Sequence, residues 1–148
     1  ELDIVVPNEN GGAQVSLGNG DGTFQTGTAV ATGGTGHYSI ALGDVNNDGE
    51  LDIVVSDDTT GARVGLGNGD GTFQAGTAVV TGGTSHLTVA LGDLNDDGKL
   101  DIVVGDLIDG AEVCLGNGDG SFGSSTHIDL PGYHVFNSIA LGDIDAIV

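Results

Sequence analysis

One stretch decides the fold: residues 43–55 read Gly-Asp-Val-Asn-Asn-Asp-Gly-Glu-Leu-Asp-Ile-Val-Val, and residues 92–104 repeat the pattern as Gly-Asp-Leu-Asn-Asp-Asp-Gly-Lys-Leu-Asp-Ile-Val-Val. In both copies, oxygen-bearing side chains stand at positions 1, 3, 5 and 9 of a loop that runs into an apolar strand. Glycine at position 6 permits a sharp bend, and the carbonyl of position 7 faces inward. Hard oxygen donors that include carboxylates suit Ca²⁺. The sequence therefore predicts two calcium loops between strands.

The predicted ligands follow from the loop positions. The first set is Asp44, Asn46, Asp48, Glu50 and Asp52, and the second is Asp93, Asn95, Asp97, Lys99 and Asp101, with Glu50 and Lys99 acting through their backbone carbonyls. The alternative is a metal-free Asx-Gly turn, although such a turn does not need a carboxylate at position 9. An EF-hand is not predicted, because the twelfth position from Asp44 is Val55 and not a bidentate Glu.

The loop belongs to a larger repeat with a period of about 49 residues. Three motifs recur in order: Leu-Asp-Ile-Val-Val, then Leu-Gly-Asn-Gly-Asp-Gly-Thr/Ser-Phe, then Ser/Thr-Ile/Val-Ala-Leu-Gly-Asp. They begin at residues 2, 51 and 100, at 17, 66 and 115, and at 39, 88 and 138, respectively. The repeat units are approximately 1–37, 38–86 and 87–135, followed by a closing strand at 136–148.

Each unit contains four short segments with strand character, joined by glycine-rich turns. Four antiparallel strands in about 40–50 residues are typical of one blade of a β-propeller. A calcium-binding β-helix is not favoured, because its motif recurs every nine residues. We predict an all-β protein with three four-stranded blades, forming a single propeller domain or half of one, and completed to a larger ring by oligomerisation.

The two ends of the sequence divide one blade between them. Glu1 aligns with loop position 7, and Asp143 and Asp145 align with positions 1 and 3. A third calcium site built from Asp143, Asp145 and Asp3 is expected to be weak, because Ile147 and Val148 replace the Asp and Gly of the intact loops. We expect a homo-oligomer: a dimer that forms six blades, or a head-to-tail filament. A fragment of a longer repeat protein is a third interpretation.

Composition excludes some partners. The formal net charge is −20, and Arg63 and Lys99 are the only cationic side chains besides the histidines. Such a surface repels nucleic acid and anionic membranes, and no apolar run approaches the length of a membrane span. Cys114 is the only cysteine and is predicted to be a small buried hydrophobe.

No catalytic constellation is predicted, so the chain reads as a non-enzyme. His37 and His86 occupy equivalent positions, whereas Phe136 stands there in the third unit, which argues against a general base. Propellers carry function in their variable loops, so the candidate ligand-binding residues are those of the loops after the second strand, with the two histidines: Asp57, Asp58, Asp106, Asp109, His37 and His86. The recurring Phe24, Phe73 and Phe122 are predicted to pack in the core.

The paired motifs resemble the FG-GAP/VCBS-type repeat of integrin α-subunit propellers and of many bacterial secreted proteins. This resemblance implies a calcium-stabilised propeller outside the cell or on its surface, working in adhesion, carbohydrate binding or protein interaction. We therefore expect a secreted recognition module that binds a protein or glycan ligand. The alternatives are a structural subunit of an extracellular filament or surface layer assembled by strand exchange, and a lyase or hydrolase on a propeller scaffold.

Overall fold

The computed structural model describes residues 1–83, 85–107, 110–130 and 137–145. Its elements are eleven strands: β1 (Ile4–Asn8), β2 (Gly12–Ser16), β3 (Thr28–Ala31), β4 (Ile40–Gly43), β5 (Asp52–Asp57), β6 (Gly61–Gly65), β7 (Thr77–Val80), β8 (His86–Gly92), β9 (Asp101–Asp106), β10 (Gly110–Cys114) and β11 (Thr126–Asp129). No helix in the described part of the chain is long and apolar enough to cross a bilayer.

The strands form three antiparallel sheets in chain order. Sheet 1 contains β1-β2-β3, sheet 2 contains β4-β5-β6-β7, and sheet 3 contains β8-β9-β10-β11. Within each sheet, every strand pairs with the next one along the chain. The predicted all-β fold of three blade-like repeats is confirmed, with one strand fewer in sheet 1.

The sheets stack on one another through β-branched side chains. Ile53 and Val55 of β5 pack with Val15 and Val30 of sheet 1, whereas Val54 packs with Ile102 and other residues of sheet 3. Successive side chains of a strand point to opposite faces, so β5 is covered on both faces and every one of its residues is buried. Ile53, Val54 and Val55 are therefore buried between sheets 1 and 3.

The last strand of each unit begins several residues after the recurring Phe, because the segment around that Phe is joined to the sheet by isolated bridges such as Gly18–Phe24 and Gly67–Phe73. Within the predicted closing strand, residues 137–145 are in no strand, and the remaining residues of that segment lie outside the described residues. This segment lies beside sheet 3, where Leu141 approaches Gly92, and has no strand partner in the described residues.

The recurring phenylalanines differ in burial according to the sheet in which they lie. Phe122 packs against the core between sheets 2 and 3, and Phe73 packs against the core between sheets 1 and 2, as predicted. Phe24, in sheet 1, is 44 % exposed. Cys114 is fully buried as predicted, and burial followed by the nearby charge of Glu112 raises the pKa of its thiol to about 11.

Candidate functional site

The strand order separates the predicted sites into two groups at opposite ends of the blades. The loop from β4 to β5 and the turn from β6 to β7 leave the blade at one end, which we call the loop end. The connection from β5 to β6 and the connector from β7 to β8 lie at the other end, which we call the connector end. The predicted calcium ligands lie at the loop end, and the candidate ligand-binding residues lie at the connector end.

The first acidic loop is curled by its own side chains. Asp44 accepts hydrogen bonds from the amides of Asp48 and Gly49 at 3.1 and 2.9 Å, and Asn46 Oδ1 accepts a second bond from Asp48 N at 3.1 Å. Asn47 and Gly49 adopt φ values of 59° and 91°, and glycine reaches such values without steric cost. The side-chain oxygens at positions 1 and 3 thereby meet at one backbone amide, that of Asp48.

Hydrogen bonds favour ionised Asp48 at position 5. The Glu50 amide donates to Asp48 Oδ1 at 2.8 Å and Asn46 Nδ2 donates to Oδ2 at 2.8 Å. These two bonds hold the pKa of Asp48 below its ordinary value. The carboxylate is therefore ionised and partly immobilised before any cation arrives.

The second acidic loop reproduces the same geometry. Asp93 accepts from the amides of Asp97 and Gly98, and Asn95 Oδ1 also accepts from Asp97 N. The Lys99 side chain lies 3.3 Å from Asp97 Oδ2. Burial works against ionisation of Asp97, but bonds from Lys99 and Asn95 and the charge of Lys99 outweigh it and lower the pKa of Asp97.

The carboxylate at position 9 has a different role in the fold. Asp52 is completely buried, and its two oxygens accept from Val45 N and Gly67 N, each at 2.8 Å. Asp101 does the same with Leu94 N and Gly116 N, each at 2.8 Å. Each of these residues ties its own acidic loop to the turn that follows the third strand of the blade.

The donor atoms of each loop are oxygens, the type that a hard cation such as Ca²⁺ prefers. Each loop offers two short carboxylates, an amide oxygen and a backbone carbonyl, and each oxygen of Asp52 retains a lone pair beyond its amide bond. Among the described residues, however, no three acidic, histidine or cysteine side chains are gathered closely enough to hold a metal. Any cation would therefore depend on Asn46 and the Glu50 carbonyl as well as on carboxylates.

The first acidic loop also contacts the next blade. Asn47 Nδ2 donates to Gly118 O at 3.2 Å, and Val45 O accepts from Gly120 N at 3.1 Å. Both partners belong to the turn between β10 and β11, so ordering of this loop also fixes the junction of sheets 2 and 3.

The members of the predicted split site are separated in the structure. Asp3 precedes β1 and accepts from Gly18 N at 2.8 Å, whereas Asp143 and Asp145 lie in the exposed segment beside sheet 3. The described residues of one chain do not form this third site.

At the connector end, the first candidate residues hold the backbone. The ring nitrogens of buried His37 lie 2.5 Å from Ser56 O and 2.9 Å from Gly33 O, which ties the connector to β5. Asp57 Oδ2 pairs with Arg63 Nε at 2.5 Å, and its Oδ1 accepts from the amides of Thr59 and Thr60. Burial opposes the charge on Asp57, but the bonds from Arg63, Thr59 and Thr60 and the charge of Arg63 outweigh it and lower the pKa.

The equivalent place in sheet 3 has a different charge pattern. Glu112 replaces Arg63 in the repeat and pairs with His127 Nδ1 at 2.8 Å. The Nε2 atom of buried His86 lies 2.8 Å from Gly82 O. Asp106 is only 1 % exposed, and its carboxylate lies next to Gly83. Asp109 lies outside the described residues.

Sequence reasoning missed one exposed aromatic at the connector end. Tyr38 is 50 % exposed, and its amide donates to Ser56 Oγ at 3.1 Å. Exposed Asp58 lies against the connector that leads to Tyr38, because its amide donates to Thr35 O and its side chain lies next to Gly36. Position 38 is not repeated as an aromatic in the second unit, where Leu87 stands, so the repeat pattern gave no signal for it.

A groove of about 510 Å³ lies outside both groups of residues. It runs between β7 and residues 119–124 of the next blade, and no predicted site residue lines it.

Comparison with solved structures finds a carbohydrate-binding protein among the matches. An Agrocybe aegerita lectin, described as recognising non-reducing terminal N-acetylglucosamine, matches with a TM-score of 0.62 and 28 % identity over 93 % of this chain. The chain spans only 37 % of that lectin chain. No curated protein gives a significant match.

The comparison with family models covers nearly the whole sequence. The model of the FG-GAP-like repeat matches residues 1–55, 46–104 and 93–146. These three overlapping segments confirm the resemblance inferred from the motifs. The chain therefore belongs to the FG-GAP-like repeat family.

Proposed function

We propose that this chain is a glycan-binding module that is braced by Ca²⁺ at the loop end and binds its ligand at the connector end. The observation that carries the proposal is the likeness to a lectin over 93 % of this chain. The family and the fold are compatible with ligand recognition, and the proposed activity is binding without catalysis.

The calcium part of the proposal rests on the two acidic loops. On binding, one ion would draw together Asp44, Asn46, Asp48, the Glu50 carbonyl and Asp52, and the other would draw together Asp93, Asn95, Asp97, the Lys99 carbonyl and Asp101, because the carboxylates of each set are not yet gathered around one point. With net charge −20, a bound cation would relieve carboxylate repulsion within each loop. Free Ca²⁺ at 100 times Kd would stabilise the fold by about 2.7 kcal/mol per site. We place the module outside the cell, where the Ca²⁺ concentration is high enough to fill sites of modest affinity.

The ligand part of the proposal rests on Tyr38 and Asp58. An exposed tyrosine offers an apolar ring face with a polar hydroxyl, which suits the mixed surface of a sugar, and a carboxylate accepts hydrogen bonds from sugar hydroxyls. His37 and Asp57 support this surface from below through their bonds to Ser56, Gly33 and Arg63. We therefore assign contact with the glycan to Tyr38 and Asp58, and positioning to His37 and Asp57.

A glycan array tests the proposal. The buffer contains about 2 mM Ca²⁺, which is above the Kd of about 10⁻⁴ to 10⁻³ M that is typical of calcium sites in extracellular modules. We expect binding to glycans that end in N-acetylglucosamine and loss of binding to the same glycans capped with galactose. Tyr38→Ala should lower affinity by about tenfold, which corresponds to one aromatic contact, whereas Tyr38→Phe should retain most of it. Absence of binding to every glycan on the array would refute the proposal.

A further inference from the structure

The groove between sheets 2 and 3 is a repeated feature of the blades. One side is β7, and the other is the 119–124 segment of the next blade. A smaller groove of about 330 Å³ lies one repeat earlier, between β3 and the 71–75 segment. Each groove is therefore a product of how one blade packs on the next.

The outer edge of β7 has no strand partner. β7 pairs with β6 and with no other strand of the described residues. Alternate residues of an antiparallel strand direct their N–H and C=O groups to opposite edges. Thr81 N donates to Thr60 O at 2.8 Å, so Thr81 and Val79 face β6. Ala78 and Val80 therefore direct their amides and carbonyls away from β6.

Little in β7 protects this edge. Edge strands are commonly shielded by charged side chains, proline or bulges, and the Thr-Ala-Val-Val sequence of β7 contains none of these. Val80 is 69 % exposed, and Val64, Leu66 and Phe122 line the groove beside it. Amides and carbonyls at strand spacing match another extended backbone, which can add to the edge by β-augmentation. The four-residue length of β7 limits the added strand to a short segment.

Hydrogen bonds between the blades hold the two sides of the groove in place. Toward the loop end, Gly120 N donates to Val45 O at 3.1 Å. Toward the connector end, Gly82 N donates to Ser125 Oγ at 3.2 Å. The groove volume of about 510 Å³ lies within the range of about 300–1,000 Å³ that is typical of ligand sites. The groove is thus formed before any ligand binds.

The charge of the groove indicates which ligand would occupy it. Asp119 is the only charged residue that lines it, and the smaller groove has no charged lining residue in the described part of the chain. Asp119 Oδ1 accepts from Ser121 Oγ and Ser121 N at 2.6 and 2.9 Å, and these bonds hold the pKa of Asp119 below its ordinary value. Both bonds use Oδ1, which leaves Oδ2 for a ligand. With a net charge of −20, the edge would repel a second copy of this chain and attract a basic segment.

We propose that the larger groove binds a short, extended, basic peptide segment of another protein, which adds to β7 as a fifth strand of sheet 2. The peptide backbone would bond to the outward amides and carbonyls of Ala78 and Val80. Its apolar side chains would lie beside Phe122, and a lysine or arginine would pair with Asp119. This site is separate from the glycan surface proposed at Tyr38 and Asp58.

Fluorescence anisotropy on the full chain tests the proposal with a labelled heptapeptide of alternating valine and lysine. In 0.15 M salt, which screens long-range attraction to the acidic chain, we expect saturable binding at one site. Replacement of the lysines by glutamates should remove binding, because the net charges are then alike.

N-methylated peptides test the strand pairing without changing the protein. One peptide is methylated at every valine and the other at every lysine, so both keep their side chains and charge. Because only alternate residues of an added strand face β7, one of the two peptides should bind at least about tenfold more weakly, and the other should bind nearly as well as the parent.

Substitutions in the protein locate the site. Ala78→Pro removes an outward amide and obstructs the edge while leaving the bonds to β6, a position that proline tolerates in edge strands, and should weaken binding at least about tenfold. Ala29→Pro is the matched control, because it makes the same change on β3 beside the smaller groove, and it should leave the affinity nearly unchanged. Asp119→Asn keeps an acceptor for Ser121 and should weaken binding about two- to fivefold.

Tyr38→Ala should not change peptide binding, so failure of the glycan proposal and failure of this one can be told apart. Equal weakening by the two N-methylated peptides, equal weakening by Ala78→Pro and Ala29→Pro, or no saturable binding would overturn the proposal. An increase in particle mass by light scattering that Ala78→Pro abolishes would assign the edge to a second copy of the chain, and would overturn the proposal as well.

Discussion

Asp52→Asn is the substitution that best separates the hydrogen-bonding role of position 9 from any role in binding Ca²⁺. Asp52 is 0 % exposed, and both of its oxygens accept from backbone amides, Val45 N and Gly67 N, at 2.8 Å. Asparagine keeps one acceptor oxygen but places an NH₂ group against the other amide. One charge-assisted bond is lost, and one buried N–H is left without an acceptor.

The cost follows from these two changes. A hydrogen bond to a charged group contributes about 1.5–3 kcal/mol, and a buried unsatisfied donor costs about 1–3 kcal/mol. Because the structure relaxes, we expect a net loss of about 3 kcal/mol in the free energy of unfolding. For a chain of this length that corresponds to a fall in Tm of about 6–12 °C.

The assay is thermal unfolding in excess chelator, so that Ca²⁺ contributes nothing. Asp48→Asn is the matched control, because exposed Asp48 bonds only within its own loop, and we expect its Tm in chelator to stay close to that of the unsubstituted chain. Equal melting temperatures for Asp52→Asn and the unsubstituted chain in chelator would refute the reasoning.

Three further predictions follow from the connector end and the core. Arg63→Met leaves buried Asp57 with only its two amide bonds, and should cost about 2–3 kcal/mol after allowance for the partial exposure of Arg63. Because the pKa of Asp57 is lowered from 3.8, the ion pair stabilises the fold above that pH and its contribution is lost as the pH falls below it. Urea titrations should show the difference between the two chains shrinking in that acidic range, and a constant difference would contradict the assignment. Gly34→Ala places a Cβ against Asp57 at a φ of +79° and should cost about 2 kcal/mol. Gly22→Ala, at φ +89° with open space around it, should cost about 1 kcal/mol; equal costs in chemical denaturation would argue against a steric contact at Gly34. Cys114, which is fully buried with its pKa raised to about 11, should react with a thiol reagent only after unfolding, and rapid reaction in native buffer would contradict its placement.

The sequence predicted the blades well because the information is repeated. Ile53, Ile102 and Ile4 occupy one position in three copies of the same motif, so strand, loop and face could be read from a pattern and not from single residues. The same period located the two acidic loops, whose oxygen-bearing side chains remain predicted Ca²⁺ ligands.

The details that sequence did not reveal depend on contacts between distant segments. Asp52 was predicted as a ligand, but its bond to Gly67 N depends on how the third strand returns beside the loop. Arg63 and Tyr38 are not repeated in the other units, so periodicity could not mark them. Their roles depend on the connector from sheet 1, which brings Gly33 and Gly34 against Arg63 and Asp57.

We propose that the two acidic loops bind Ca²⁺ and that the bound ions stabilise the stacked blades. Calorimetric titration of the chelator-treated chain with Ca²⁺ tests this claim most directly. We expect two sites per chain, one of which is removed by Asp48→Ala and the other by Asp97→Ala, together with a rise in Tm on saturation. A titration without binding heat and a melting curve that millimolar Ca²⁺ leaves unchanged would contradict the account.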